Sequence, residues 1–137
     1  MLLKKIFTTK SVSGSLASIG LLILRVAVCA MMLTHGLAKL SNFSTMSQNF
    51  DPIGMGGILS LSLVIFAEVF CSIAVILGLF TRLAAIPLIT AMCVATFIAH
   101  AGQAFATKEL ALLYLTFYVV ILLIGPGRFS IDRLLWK

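Results

Sequence analysis

The chain has 137 residues, of which 61% are hydrophobic and only 10% are charged; a water-soluble domain of this size would have too little polar surface to cover itself. Lipid must cover part of it. The net charge of +6 is spread singly and at the ends of apolar stretches rather than gathered in a patch. That distribution argues against a nucleic-acid partner and for anionic lipid headgroups.

A membrane-spanning helix needs about 20 mainly apolar residues. Four such stretches follow one another: about Ser15 to Ala38, Gly56 to Phe80, Leu83 to Gln103 and Ala106 to Gly125. Lys4, Lys5 and Lys10 precede the first, as in a secretory signal. That stretch carries Arg25 and has no small-x-small cleavage site after it, so it reads as a retained span. Between the first and second spans, Ser41 to Met55 is rich in Ser, Asn, Gln and Gly and contains Asp51-Pro52 and Gly54, the composition of an ordered but irregular loop. Only Thr81 and Arg82 separate the second and third spans after Gly78, which predicts a tight antiparallel hairpin. The apolar core of the fourth, Leu110 to Ile124, rises only about 22 Å and needs extra turns through Lys108 and Glu109. Gly125-Pro126-Gly127 is a strong stop. Beyond it, basic residues alternate with Phe129, Leu134, Leu135 and Trp136, a pattern suited to the headgroup region.

The expected architecture is therefore all-α, an integral membrane four-helix bundle, with residues 1–137 forming one transmembrane domain because no linker or charge block divides them. Placing the N-terminus in the cytoplasm puts Lys4, Lys5, Lys10, Arg82, Arg128, Arg133 and Lys137 inside, with Lys39 and Lys108 outside. This positive-inside bias predicts that both termini are cytoplasmic. No internal repeat or broken-helix signal supports a transporter.

Arg25 and Glu68 are the most deeply placed charges, and each costs roughly 2.5–3.5 kcal/mol at mid-helix unless paired. Counted from the inner ends of their spans, at about nine and about eleven residues, they fall at similar depth in antiparallel helices. They are therefore expected to form an ion pair, either as a clamp between helices or as a substrate or proton site. Arg82 in the hairpin is expected to pair with Asp132 and so tie the C-terminal segment to the bundle. A second polar group gathers at the outer ends: His35, Lys39, His100, Gln103 and Glu109. Cys93, Thr96, His100 and Gln103 recur at steps of three and four, a weakly polar stripe expected to face the bundle interior. Two histidines and a carboxylate are donors that a metal, a haem or a protonatable quinone can use. Interfacial His and Lys more commonly bond headgroups, loop carbonyls or water, and no metal site is assigned. Tyr114 and Tyr118 share a face and are candidates to line a cavity, with interior hydrogen bonding or lipid-facing packing as the ordinary explanation. Cys29, Cys71 and Cys93 each sit alone in a different span, without a CxxC or zinc-like spacing, and read as small packing residues.

Taken in order, Leu24-Arg25 with His35-Gly36 and Lys39, then Ala67-Glu68 with Gly78, Thr81 and Arg82, then Gly125-Pro126-Gly127 with Ser130 and Asp132, resemble the DoxX family of small four-span bacterial membrane proteins over nearly the whole chain. The resemblance implies a multi-pass protein of the bacterial cytoplasmic membrane. It also implies kinship with the small membrane subunit of thiosulfate:quinone oxidoreductase, hence a redox partner subunit and a quinone or sulfur compound as cofactor or substrate. The chain itself has no cysteine pair, flavin motif or iron-sulfur ligand set, so electrons would come from that partner, and whether the chain is itself an enzyme stays open. The alternative is a non-enzymatic bundle that binds a lipid-like small molecule or assists membrane-protein assembly, either alone or as a homo-oligomer.

Overall fold

The computed structural model describes residues 14–136; Lys4, Lys5, Lys10 and Lys137, on which much of the orientation count rests, lie outside them. Because a lipid-embedded backbone must satisfy its own hydrogen bonds, long apolar stretches fold as helices. Among the described residues, four helices are long and apolar enough to cross a membrane: Ser15–Ser41, Gly57–Leu77, Thr81–Ala99 and Phe105–Ile124. The first is a continuous helix, α1. A single turn, α2 (Phe43–Met46), follows it. The second span comprises α3 (Gly57–Ile65), a wide π-helical turn (Phe66–Cys71) and α4 (Ser72–Leu77). The third comprises α5 (Thr81–Val94) and a second π-helical turn (Ala95–Ala99). The fourth is α6 (Phe105–Ile124), and α7 (Ile131–Leu135) closes the described chain.

Each span packs against its neighbour in sequence, the first on the second as extensively as the third on the fourth. Cys29, Val75, Leu88, Tyr118 and Ile121 are fully buried at the centre. Leu16, Ile23, Leu113 and Leu123 point outward, exposed, as lipid-facing residues do. The loop after α2 is organised by Asp51, whose carboxylate accepts hydrogen bonds from the Met55 and Gly56 amides and the Ser60 hydroxyl at 2.9, 3.1 and 2.9 Å. Phe43, Met46 and Phe50 from this region pack on Leu61 and Ile65 of α3.

The spans are staggered. Gly36 of α1 lies against Glu68 and Val69, where an added Cβ would come within 2.9 and 2.8 Å of their side chains, whereas Arg25 is level with Ile76. The start of α1 therefore projects past the second span, and Leu21 there packs on Gly127 of the C-terminal segment.

That end of the bundle is bound together by side chains that reach backbone groups. Arg25, 1% exposed, donates from Nη1 to the Pro126 carbonyl and from Nη2 to the carbonyls of Phe129 at 2.7 Å and Ile76 at 3.4 Å. The expected tie between hairpin and C-terminal segment is present in a different form: Asp132 accepts from the amides of Phe80 and Thr81 at 2.6 and 2.9 Å. These amides begin α5 and have no partner within the helix, so Asp132 caps α5 from a distant part of the chain. Its own amide donates to Gly78 at 2.8 Å. Phe80 has φ 46°, a left-handed conformation rare outside glycine, and the Asp132 cap holds it there. Arg82 does not make the pairing assigned to it from sequence; it reaches across to the carbonyls of Leu123 and Ile124 at 3.2 and 3.5 Å.

Candidate functional site

At the other end, Lys39 turns into the bundle and its Nζ meets Glu68 Oε2 at 2.5 Å. The pair is asymmetric: the Glu68 side chain is 4% exposed and that of Lys39 22%. Glu68 therefore carries most of the desolvation cost, while Lys39 keeps a path to water or headgroups. The expected Arg25–Glu68 pair does not form, because each charge has another partner. Gly36 meets Glu68 while Arg25 sits eleven positions earlier on α1, which separates the two charges by roughly 16 Å along the helix. The ends of the first two spans are not level, so equal counts from those ends do not mean equal depth.

The ion pair forms a common wall between two hollows. One, about 170 Å³, lies among all four spans and is lined by Met32, His35, Lys39, Glu68, His100, Thr107 and Tyr114 among others. The other, about 140 Å³, lies under Phe50 and Pro52 of the loop and shares Lys39, Glu68, Ala95 and His100 with the first. Both π-helical turns border this chamber. Glu68 lies within one, and the other ends directly before His100, whose amide donates to Ala95 at 3.1 Å. An extra residue in a helical turn rotates every following side chain, and such turns are frequent at functional sites. Here they aim Glu68 and His100 at one point.

Of the residues expected at this end, His35, Lys39 and His100 come together, and Glu68, expected beside Arg25, joins them. Gln103 stays outside the walls and faces His100, with its Oε1 3.2 Å from His100 Nδ1. Glu109 is exposed on α6 and is not part of the chamber. Tyr114 is a wall; its ring meets His35 edge-on with centroids 6.1 Å apart and stacks on Tyr118 at 6.2 Å. Of the polar stripe on the third span, Thr96 is buried, Cys93 half-buried and His100 lines the chamber. One turn below the walls, the hydroxyls of Ser72, Thr96 and Tyr118 are buried without a protein hydrogen-bond partner, Ser72 and Tyr118 lying near each other short of a well-formed bond. Among the described residues, no three His, Cys, Asp or Glu side chains converge as metal ligands. Cys29 and Cys71 are buried free thiols.

Sequence reasoning did not find Met32, Met92, Ala95, Thr107 or the roof residues Phe50 and Pro52. Small and apolar residues carry no chemical signal of their own, and the π-helical turns have no sequence signature that would reveal the convergence.

Fold and site together define a four-span helical membrane protein with a charged, histidine-flanked chamber between its helices. The DoxX family model matches residues 20–101, more than half of the chain, and the chain belongs to that family. It is 29% identical over 126 residues to the inner membrane protein YqjF of Escherichia coli (strain K12), an alignment covering 89% of this chain and 96% of YqjF. It is 34% identical over 122 residues to an uncharacterised protein of Haemophilus influenzae, covering 83% and 89% respectively. No solved structure matches. The chain is accordingly a multi-pass protein of the cytoplasmic membrane.

Proposed function

We propose that the chain is the membrane subunit of a redox system and that the chamber around Lys39 and Glu68 receives the ring of a quinone. The observation that carries this reading is the buried Lys39–Glu68 pair at 2.5 Å with His35, His100 and Tyr114 in the same walls. A hollow of about 170 Å³ is smaller than the roughly 300–1,000 Å³ of a site that encloses a whole drug-sized ligand, and it suits a single ring. A quinone supplies two carbonyl acceptors and, on reduction by an electron-donating partner, takes up two protons. The chain's own groups are suited to that need. The Lys39 ammonium and the Tyr114 hydroxyl donate, Glu68 holds the counter-charge, and the imidazoles of His35 and His100 are groups that can pass protons on. In this reading the termini are cytoplasmic and the chamber faces the opposite side, consistent with the cations Arg82, Arg128 and Arg133 at the clamp end.

The test is titration of the purified protein in nanodiscs with decyl-benzoquinone, followed by calorimetry. Wild type binds saturably. Glu68→Gln and Lys39→Met bind about 10-fold or more weakly, the cost of one hydrogen bond to a charged group being ~1.5–3 kcal/mol. Glu68→Gln keeps a melting temperature close to wild type, whereas Lys39→Met lowers it by leaving the buried Glu68 carboxylate without a partner. Absence of saturable binding, or equal affinity in both variants, overturns the reading in favour of a bundle that serves lipid binding or membrane-protein assembly.

A further inference from the structure

The smaller hollow continues into the lipid-facing surface. Its walls Val64, Ala91 and Val94 also line a larger apolar hollow of about 330 Å³ between the second and third spans. Phe66 and Pro87 of that hollow in turn border a third, of about 270 Å³, that reaches Leu83 and Phe80. The residues that make this groove recur at helical spacing: Leu83, Ile86, Pro87, Thr90, Ala91 and Val94 form a single stripe on the third span. The floor is made of small side chains, among them Ala67, Ala84 and Ala91, while Leu63, Phe66 and Ile86, 47%, 51% and 50% exposed, stand as rims. From Val94 to Leu83 the groove runs roughly 16 Å, about half of a ~30 Å hydrocarbon core.

We propose that this groove holds the single apolar tail of an amphiphile whose hydrogen-bonding head sits at Lys39, Glu68 and His100, so that the ligand enters laterally from the bilayer between the second and third spans. The inference rests on the reading of the chamber as a ligand site and extends it by assigning the rest of the molecule. A flexible chain fits better than a helix from a partner protein. A helix is roughly 10–12 Å across and would lie over the rims, whereas a tail can follow the floor and turn inward at Ala91 toward the ion pair. The charges at the head end are one acid and one amine with an imidazole beside them, so the head is an acceptor-bearing group such as a quinone carbonyl or a fatty carboxylate. The two sources share this chemistry and are separated by experiment.

The protein in nanodiscs is photolabelled with two probes that each carry a diazirine near the tail end, one with a benzoquinone head and one a fatty acid, and labelled peptides are mapped by mass spectrometry. Binding of tail-less dimethoxybenzoquinone is measured in parallel. At least one tailed probe labels the groove segments around Phe66 and Ile86–Thr90. Ala91→Phe on the floor and Thr90→Trp on the exposed rim each lower that labelling 10-fold or more, while tail-less benzoquinone binds Thr90→Trp within twofold of wild type. Leu123→Phe, on the outer face of the fourth span, labels as wild type. Thr90→Trp adds bulk at an exposed position, so it reports even if Ala91→Phe misfolds. Groove labelling by the fatty acid alone supports the tail site and removes the quinone. Saturable binding of tail-less quinone with label spread evenly over all four spans overturns the tail site and leaves the quinone standing. Loss of a native oligomer in Thr90→Trp, with labelling unchanged, assigns the groove to another protein chain and also overturns the proposal.

Discussion

The two ends of the bundle both bury charge, but they dispose of it in opposite ways. At the clamp end, Arg25 and Asp132 spend their hydrogen-bonding capacity on backbone groups of the hairpin and the C-terminal segment. At the chamber end, Lys39 and Glu68 have each other, and hollows lie on both sides. A charge bonded to fixed carbonyls and amides has little freedom to serve a ligand and contributes mostly to shape. A charge pair that borders open space can exchange its partner for a ligand group. The same residue types thus divide into scaffold and site according to what surrounds them.

The contrast is broken most severely at Arg25. Arg25→Met leaves the buried carbonyls that it joins without a donor, and stability falls by about 3 kcal/mol or more, read as a large drop in melting temperature and in folded yield from membranes. Asp132→Ala is next. It strips the acceptor from the amides of Phe80 and Thr81 and costs about 2–4 kcal/mol; hydrogen exchange should speed up first at the start of α5, and an unchanged rate there would show that the cap is dispensable. Gly36→Ala connects the two regions, because its new Cβ would press on Glu68 and Val69. Overpacking of this kind costs about 1–3 kcal/mol. It should also weaken decyl-benzoquinone binding, whereas Arg25 variants that still fold should bind normally.

The smallest effect concerns the loop that roofs the chamber. Asp51 is held below its ordinary carboxylate range, first by the Ser60 hydroxyl and then by the amides of Gly56, Met55 and Gly54. Because its folded-state pKa is depressed, the ordering it supplies is complete above the ordinary carboxylate range and is lost as pH falls through the lowered value. The Met55 and Gly56 amide resonances should therefore shift only below the ordinary aspartate range. Asp51→Asn removes that transition, and a transition at the ordinary aspartate pKa in wild type would show that the cage does not form.

Much of this was legible in the sequence. Spans of about the observed length follow from apolar runs and breakers, since lipid leaves the backbone no alternative to the helix. The gathering of His35, Lys39 and His100 at one end follows from their positions at span ends. The exclusion of Glu109 does not, because it depends on the rotation of α6 about its axis, to which a short polar segment at a helix start contributes little signal. Nor does the role of Tyr114: an aromatic residue in an apolar span reads the same whether it faces lipid, core or cavity.

Composition and pattern alone determined that this chain is a four-span helical membrane protein with costly charges inside it. Tertiary structure alone decided which charges meet. The first span projects beyond the second, so Arg25 reaches the C-terminal segment and Lys39 takes Glu68. That stagger is held by the close approach at Gly36 and by the bonds of Arg25 to Ile76 and the C-terminal segment. Helix register of this kind is the sum of many small packing contacts between distant parts of the chain, and a shift of two turns changes every partner while leaving the hydropathy pattern untouched.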